Sequence, residues 1–445
     1  MGIKFFKNEK MKKAILLVII CYIRLVSFSQ INKIELPLTT QNGYGPFDSS
    51  LSGMNVYSKD ANMWSNTYLK VPGAPNNWVD IKFGDIETNI YQTVYQNYLL
   101  GNISKASYEK LQKDWDWIPN TLNLSKKPLK CKIAFAYVSD NKGIVKMIVD
   151  ANNNRNFSDD KIFTPVKTDY NENINKDSLA QNNTINVSFE SFRNNKKTVT
   201  SAPLLIVNLS SMQMFLFNFF QHATTKFNGE EIAVCSDNFK NFSYKNPTIV
   251  LTQNNKIEVK KALPENVISK NEYIEIKNEL YKFVGLNKNR NTLVLEKVNL
   301  PKSLLTSTQM GFKPYMFEGE DFKSKTKVSL ESLKGKYVLL DFWAVSCGAC
   351  RREMPNLKAL YNKVDKSNFE IIGIVGDSQS NEINKLIDEY SLNWPQIMSD
   401  DTNKIKEKYD IYGYPTTFLL NPDGVIIAKD LREKKLEDKV LSLVK

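Results

Sequence analysis

Two cysteines separated by two residues, Cys347 and Cys350, lie in the stretch DFWAVSCGACRREMP. Cysteines at this spacing can bind a metal, form a structural disulfide or exchange disulfides with another molecule. A structural zinc site needs four Cys or His ligands. The whole chain contains five cysteines and one histidine, His222, which is far from the pair in sequence. The composition therefore disfavours zinc and leaves an inert disulfide or a redox-active pair.

The residues on either side of the pair predict a strand followed by a helix. The run KYVLLDFWA is almost continuously apolar, as in a central buried strand, and RREMPNLKALYNKV has apolar residues at helical spacing. Cys347 then lies at the helix N-terminus, where backbone N–H groups stabilise a thiolate and lower its pKa. We therefore predict that Cys347 is the more exposed, attacking thiol and that Cys350, deeper in the first turn, is the resolving thiol.

Two further residues favour a redox role over an inert disulfide. Asp341 lies in the predicted strand, where a carboxylate is costly unless it has a function such as passing protons to a buried thiol. Far downstream, the stretch IYGYPTTFLL places Pro415 just before an apolar run. An X-Pro bond at a strand start can be cis, and it leaves the preceding backbone groups free to pair with an extended peptide.

The stretches VLLDFWAVSCGACRREMP and GYPTTFLLNPDGVI together resemble thioredoxin and, more closely, its exported relatives of the TlpA/ResA type. The resemblance covers about residues 314–445 and implies an α/β thioredoxin fold, a central mixed sheet flanked by helices. It also implies a thiol-disulfide oxidoreductase that uses the cysteine pair and requires no other cofactor. The implied site consists of the attacking Cys347, the resolving Cys350, the buried acid Asp341, the cis-proline Pro415 and the substrate-contacting residues Tyr414, Gly348 and Ala349.

Two residues depart from the pattern of that family. Ala349 stands where a proline is usual between the cysteines, and Ser346 stands where a tryptophan usually precedes them. Because the dipeptide between the cysteines helps to set the redox potential, the direction of electron flow stays open. Peroxide-reducing relatives have a threonine where Ala344 stands, and its absence disfavours peroxide reduction.

The residues before position 300 predict a different, β-rich architecture. Segments such as TINVSFE and NTLVLEKV alternate apolar and polar residues, and Asn- and Lys-rich turns separate them. One stretch has helical spacing instead, with an aromatic stripe that we interpret as core: Tyr91, Val94, Tyr95 and Tyr98. The predicted organisation is a signal peptide over 1–29, a β-rich domain over 30–170 with a helical segment near 87–118, a second β-rich subdomain over 171–300, a linker over 301–313 and a thioredoxin-like domain over 314–445.

Residues 1–29 have the pattern of a secretory signal. Five lysines precede the apolar run AILLVIICYI, and small residues suit a cleavage site before Gln30. The run is too short to span a bilayer, which disfavours a retained membrane anchor. A lipoprotein signal ending at Cys21 is the alternative, although Ile20 is bulkier than the residue normally found before a lipidated cysteine. Export is therefore the favoured interpretation.

The charge of the chain disfavours one class of partner. The formal net charge is +12, but part of it lies in the signal, and no long basic block follows. The sequence therefore gives no sign of a nucleic-acid-binding surface. We predict a location in the periplasm or cell envelope, with protein disulfides as substrates and a membrane reductase as electron donor.

An oxygen-rich stretch, VDANNNRNFSDDKIF, suggests a second site. Its alternating oxygen side chains resemble the opening of an EF-hand or dockerin-type calcium loop. Arg155 stands where such loops have glycine, and the closing carboxylate comes one residue early, so a solvated hairpin turn is the alternative. The candidate calcium ligands are Asp150, Asn152, Asn154, Asn156 and Asp160.

Cys131 and Cys235 are the cysteines of the β-rich region. A disulfide between them would close a loop of about a hundred residues, which could stabilise the fold by up to ~4.7 kcal/mol. We favour two separate buried thiols, because the two residues fall in different predicted subdomains.

The sequence thus predicts a multidomain protein, an exported thiol-disulfide oxidoreductase that reduces envelope protein disulfides through a mixed disulfide. The alternative is an envelope binding or scaffold protein whose β-rich region captures a ligand, with a local or minor redox role for the thioredoxin-like domain.

Overall fold

The computed structural model describes residues 33–140, 143–168, 175–252 and 261–444. The predicted signal peptide, its cleavage before Gln30 and the lipidation alternative at Cys21 lie outside these residues. The chain divides into two compact units. The N-terminal unit runs to Ala262 and resumes over Val267–Val298, and the C-terminal unit comprises Leu263–Asn266 and Asn299–Lys445. Within the described ranges, no helix has both the length and the apolar character needed to cross a membrane.

The N-terminal unit is built mainly from antiparallel strands, as the alternation of apolar and polar residues predicts. Its strands are β1 Lys33–Pro37, β2 Thr39–Asn42, β3 Ser52–Gly53, β4 Asn55–Val56, β5 Lys82–Glu87, β6 Lys132–Ser139, β7 Val145–Val149, β8 Ile162–Phe163, β9 Val166–Thr168, β10 Thr184–Arg193, β11 Lys196–Leu209, β12 Met214–Phe219, β13 Gln221–Phe227, β14 Glu230–Cys235, β15 Thr248–Thr252, β16 Ile268–Ser269, β17 Tyr273–Ile276, β18 Glu279–Asn287 and β19 Thr292–Val298. Their sheet orders are β1-β19-β18-β17, β10-β11-β12-β3 with β9 beside β11, β16-β15-β14-β13-β2, and β4-β5-β6-β7-β8.

The expected division of this region at residue 170 does not separate two units. Strand β1 pairs with β19, β2 with β13 and β3 with β12, so three sheets join strands from both sides of that position. The polar stretch over 167–183, which suggested the boundary, begins in β9 and ends where β10 begins. Strand β9 nevertheless pairs in parallel with β11, which lies after that stretch. A polar connection has the same composition whether it links two domains or two strands of one sheet. The sequence pattern therefore could not distinguish them.

The predicted helical segment is present as two helices, α1 (Ile90–Leu99) and α2 (Lys105–Asp114). The Asn89 side chain caps α1 by accepting from the backbone N–H of Gln92, and Gly101 follows the helix with φ +75. A third helix, α3, spans Lys176–Asn183. The aromatic stripe packs in the core, as predicted: Tyr91, Val94 and Tyr95 are buried, and Tyr98 lies partly buried against them.

The C-terminal unit has the predicted thioredoxin-like arrangement, a five-stranded sheet of order β24-β23-β22-β25-β26 with helices. Strand β22 is central and buried; it runs parallel to β23 and antiparallel to β25. The sheet is therefore mixed. The elements are β20 Glu318–Glu320, β21 Lys327–Ser329, β22 Tyr337–Trp343, α4 Gly348–Lys363, β23 Phe369–Val375, α5 Ser380–Tyr390, β24 Gln396–Met398, α6 Ile405–Lys408, β25 Thr416–Leu420, β26 Ile426–Lys429 and α7 Glu433–Leu443.

Most of residues 301–313, expected to be a linker, pack as part of the C-terminal unit. Phe312 is buried, and its carbonyl accepts a hydrogen bond from the N–H of Ile426 at 2.9 Å. The N–H of Gly311 donates to the carbonyl of Ile426 at 2.8 Å. These bonds attach the segment to the edge of the sheet beside β26. The segment has neither a helical nor a strand period, and such a pattern does not reveal a partner more than a hundred residues away.

Candidate active site

The cysteine pair lies where β22 passes into α4. Cys347 is the N-cap residue of α4, and its sulfur accepts a hydrogen bond from the N–H of Cys350 at 3.0 Å. The two cysteines form a disulfide with their Cα atoms 5.3 Å apart. Cys347 is partly exposed, whereas Cys350 is only 3% exposed. The predicted difference in exposure is confirmed, and the acidity of Cys347 stays a prediction.

Asp341 lies in the middle of the sheet, in the strand that leads to the cysteines. Its neighbours across β22 are Gly373 on β23 and Thr417 on β25. The residue is 6% exposed, and burial raises the pKa of its carboxyl to about 7. This value includes two smaller effects: the charge of Glu353 raises the pKa, and the nearby Arg432 guanidinium lowers it. An acid with this pKa can gain or lose a proton near neutral pH.

Glu353 is a buried acid that the sequence reasoning did not assign to the site. It lies on α4, three residues after Cys350, and is 7% exposed. Its Oε1 accepts from the backbone N–H of Glu433 at 2.7 Å, and its Oε2 accepts from Asn356 at 3.2 Å. A signal was available: Glu353 precedes Leu357 by four residues and Leu360 by seven, the spacing of one helix face. That spacing places the carboxylate on the buried face of α4.

The bond between Tyr414 and Pro415 is cis, as predicted, and it precedes β25. The Arg432 guanidinium donates a hydrogen bond to the carbonyl of Pro415. The same guanidinium acts on the charge of Asp341, so one side chain links the cis-proline to the buried acid. Arg432 was not identified from the sequence, because it lies ninety-one residues after Asp341 and in no recognised motif.

The side chain of Tyr414 is held at the surface beside the turn that follows β23. Its hydroxyl donates to Asp377 at 3.0 Å, and Asp377 also pairs with Lys406 at 2.5 Å. A Cβ atom on Gly376 would lie 2.0 Å from the Tyr414 hydroxyl oxygen, so only glycine leaves room for this contact. These contacts fix the side chain of Tyr414, the residue whose carbonyl group forms the cis bond with Pro415. Gly348 and Ala349 are partly exposed in the first turn of α4. Their contact with a substrate stays a prediction.

The oxygen-rich loop of the N-terminal unit is closed by its own hydrogen bonds. Both carboxylate oxygens of Asp150 accept from backbone N–H groups, those of Asn154 and Arg155. Asn152 and Asn154 donate their side-chain amides to Asp159. The remaining candidates also contact the backbone: Asn156 accepts from Ser158, and Asp160 accepts from Ala151.

Of the two alternatives from the sequence, calcium loop or hairpin turn, the turn accounts for these hydrogen bonds, and we favour it. Within the described ranges, no group of three or more His, Cys, Asp or Glu residues is arranged to hold a metal ion. The pKa of Asp160 is nevertheless raised to about 6, mainly by burial and to a smaller extent by the charges of Asp150 and Asp159. The carboxylates are thus close enough to repel one another.

Cys131 and Cys235 are free, buried thiols, as we favoured from the sequence. Burial raises the pKa of Cys131 to about 11 and that of Cys235 to about 12. His222 is also accounted for within the fold, because its Nδ1 lies 2.8 Å from the carbonyl of Gly43. Cys131, Cys235 and His222 all lie in the N-terminal unit, and their burial and hydrogen bonding are explained within that unit.

Comparison with known proteins finds similarity in the C-terminal part of the chain. A sequence model described as the AhpC/TSA family matches residues 313–429. The thiol-disulfide oxidoreductase ResA of Bacillus cereus is 33% identical over 129 residues, which are 29% of this chain and 73% of that protein. The protein of the same name from Bacillus subtilis is 33% identical over 109 residues, which are 24% of this chain and 59% of that protein. A solved thioredoxin domain of a thiol-disulfide oxidoreductase from Bacteroides vulgatus is 36% identical and covers 31% of this chain and 100% of its own, with a TM-score of 0.30.

Proposed function

The chain belongs, through its C-terminal part, to the ResA family of thioredoxin-like thiol-disulfide oxidoreductases, and we propose that it reduces disulfides of proteins in the cell envelope. The observation that carries the proposal is the asymmetry of the cysteine pair. One sulfur is partly exposed at a helix N-terminus and the other is buried one turn further, behind a strand that holds a buried acid. An inert disulfide needs neither the difference in exposure nor the acid.

The reaction begins with the reduced pair. The Cys347 thiolate attacks one sulfur of a substrate disulfide, the substrate S–S bond breaks, and the departing substrate thiolate takes a proton. Cys350 then loses its proton and attacks the Cys347 sulfur, which breaks the mixed disulfide and releases the second substrate thiol. Two electrons pass from the pair to the substrate. A two-electron thiol donor must afterwards reduce the Cys347–Cys350 disulfide.

The surrounding residues supply what each step needs. The N-terminus of α4 stabilises the Cys347 thiolate, because the sulfur accepts a backbone N–H there. Asp341, with its pKa near 7, accepts the proton of the buried Cys350 thiol. The backbone of Tyr414 beside the cis bond offers a place for an extended substrate segment to pair. Gly348 and Ala349 have small side chains, which leaves the Cys347 sulfur open to a large substrate.

Insulin reduction by the full chain, with dithiothreitol as donor, tests the catalytic role of the pair. Cys347→Ser should lower the rate to that of dithiothreitol alone, because no attacking thiolate remains. Cys235→Ala, which removes a buried thiol of the N-terminal unit, is the matched control and should keep the original rate. A Cys347→Ser variant that keeps the rate would refute the proposal.

The substrate class and the location need a second experiment. The secretory pattern of residues 1–29 supports export, and oxidising compartments outside the cytosol are where protein disulfides persist. Cys350→Ser expressed with its own leader should accumulate mixed disulfides between Cys347 and envelope proteins. N-terminal sequencing of that material should begin at Gln30. Adducts only with cytosolic proteins, or a lipid-modified start at Cys21, would contradict the proposed location or the proposed cleavage.

A further inference from the structure

The N-terminal unit contains a cavity of about 440 Å³. It lies between the start of α1, strands β10, β13 and β18, and the loop that contains Lys245. Binding sites for small molecules typically measure about 300–1,000 Å³. The redox mechanism makes no use of this cavity. Its size is therefore sufficient for a ligand whose role is separate from the cysteine chemistry.

Four basic side chains line the cavity, and they come from four different segments: Arg193, Lys245, Lys270 and Lys288. Within the described part of the chain, none of them forms a salt bridge, whereas seventeen other lysine or arginine contacts with carboxylates are present. Of the two acidic residues in the lining, Glu190 is paired at 2.7 Å with Lys197, which lies outside it. Asp116 is exposed. The wall of the cavity therefore carries an excess of positive charge.

The basic side chains of the lining repel one another, and burial also disfavours the charged form of Lys288. Burial and the charge of Lys270 both lower the pKa of Lys288, and the charge of Asp237 partly offsets them. The Asp237 carboxylate already accepts hydrogen bonds from other groups, the Ser243 hydroxyl at 2.8 Å and the backbone N–H of Lys245 at 3.0 Å. An anion in the cavity would relieve the repulsion between the lysines. This is the charge arrangement expected of an anion-binding site rather than of a stabilising ion-pair network.

Aromatic rings lie beside the basic groups. The Nζ atoms of Lys245 and Lys288 are each 5.9 Å from the ring centroid of Tyr91. The rings of Tyr91 and Trp117 have their centroids 4.8 Å apart, and both residues line the cavity. The start of α1 reaches the same wall, and its positive dipole end adds to the positive potential there, although Asn89 already accepts from the N–H of Gln92. The cavity thus combines a cationic part with an aromatic part.

We propose that this cavity binds a small organic anion, whose carboxylate or phosphate lies against the four basic side chains and whose planar apolar body lies against Tyr91 and Trp117. The four basic side chains would bind the acidic group of the ligand, and the rings of Tyr91 and Trp117 would contact its planar apolar part. Arg193 donates a hydrogen bond to Asn291 and Lys245 donates one to the carbonyl of Trp115, but neither acceptor carries a charge. A free metal cation or a polycation would therefore meet a net positive charge and be repelled. The proposal concerns the N-terminal unit and does not depend on the proposed reductase activity.

Isothermal titration calorimetry on the full chain tests the proposal with three probes: phenyl phosphate, benzoate and the neutral benzyl alcohol. At least one of the two anions should bind, at least about tenfold more tightly than benzyl alcohol. The double variant Lys270→Met/Lys288→Met keeps the long side chains and removes two charges. It should weaken binding of that anion by about tenfold or more and leave benzyl alcohol unaffected.

Lys226→Met is the matched control, because Lys226 is an exposed lysine of the same unit outside the cavity lining. It should bind the anion as the unsubstituted chain does. Circular dichroism and insulin reduction should be unchanged in both variants, which separates loss of binding from loss of fold. Failure of both anions to bind at about 10 mM would overturn the proposal. Equal binding by the double variant and the unsubstituted chain would also overturn it.

Discussion

The two units contain the same reactive residue types in opposite surroundings. In the N-terminal unit, Cys131 and Cys235 are buried, and burial raises the pKa of both thiols to about 11 and about 12. In the C-terminal unit, Cys347 is partly exposed at the start of α4, and its sulfur accepts a backbone N–H. A thiol reacts as a thiolate, so the raised pKa values make Cys131 and Cys235 unreactive. We predict the reverse for Cys347, because a helix N-terminus favours the thiolate.

Buried carboxylates differ between the units in the same way. Asp85 is fully buried in β5, where it forms an ion pair with Lys132 at 2.9 Å and accepts a hydrogen bond from the Tyr57 hydroxyl at 2.7 Å. Asp341 is buried in β22, and within the described residues its carboxylate receives no hydrogen bond. The Asp85 carboxylate thus has both a counter-charge and a hydrogen-bond donor. The Asp341 carboxyl, without such partners and with its pKa raised to about 7, can exchange a proton near neutral pH. We therefore propose a structural role for Asp85 and a functional role for Asp341.

The largest expected effect is the difference in thiol reactivity. We expect iodoacetamide to modify Cys347 in the reduced, native chain at pH 7 at least about 10³ times faster than Cys131 or Cys235, because thiols with pKa values of about 11 and 12 are almost entirely protonated. Peptide mass spectrometry measures the rates. The control is the chain in denaturant, where the three rates should converge. Equal modification of Cys347 and Cys350 in the native chain would contradict the assignment of their roles.

The second prediction concerns Asp341→Asn in the oxidised chain. The folded-state pKa of about 7 lies above the ordinary 3.8, so the folded state binds the proton more tightly and loses stability as pH rises from about 4 to 7. The substitution should therefore stabilise β22 at pH 8 by up to about 4 kcal/mol, at about 1.36 kcal/mol per pH unit. The gain should vanish below about pH 4, where the carboxyl is protonated in both states.

Hydrogen exchange of peptides that cover β22 measures this stabilisation as slower opening. Asp341→Asn should also slow insulin reduction, because the amide cannot accept the Cys350 proton. A variant that loses stability at pH 8, or that reduces insulin at the original rate, would show that Asp341 has a structural role only.

The third prediction is a loss of stability, whereas the second is a gain. Asp85→Asn should destabilise β5 by about 3 kcal/mol, because it leaves the buried Lys132 ammonium without its closest counter-charge. Glu87 lies 3.8 Å from the same ammonium and limits the loss. Hydrogen exchange of β5 peptides gives the measurement, and Glu109→Gln, at an exposed ion pair with Lys105, is a control that should change little. A stabilised Asp85→Asn variant would remove the distinction between the two buried acids.

The smallest expected effect is that of calcium. Because the oxygen-rich loop already satisfies Asp150 with two backbone N–H groups, we expect the melting temperature of the chain in calcium and in chelator to agree within about 2 °C. Differential scanning calorimetry makes the comparison. A larger difference that Asp150→Ala abolishes would show that the loop binds calcium and would add a metal centre to the N-terminal unit.

The sequence determined the redox site because that site is made of local patterns with special residue types. A near-continuous apolar run predicts a central strand, and two cysteines at the following helix start predict an activated thiol. Pro415 before a short apolar run likewise indicated the cis bond, which is present. Each of these signals is contained within about ten residues, so no knowledge of the tertiary fold was needed to recognise it.

Only the tertiary structure decided which distant residues meet. Glu353 and Arg432 act on the charge of Asp341, although they lie in two other elements, and no local pattern links the three. The joining of strands across residue 170 and the convergence of Arg193, Lys245, Lys270 and Lys288 on one cavity have the same origin. Strand pairing and cavity lining are long-range contacts. The sequence gives the type of each side chain directly, but the electrostatic surroundings of that side chain depend on segments that fold against it from elsewhere in the chain.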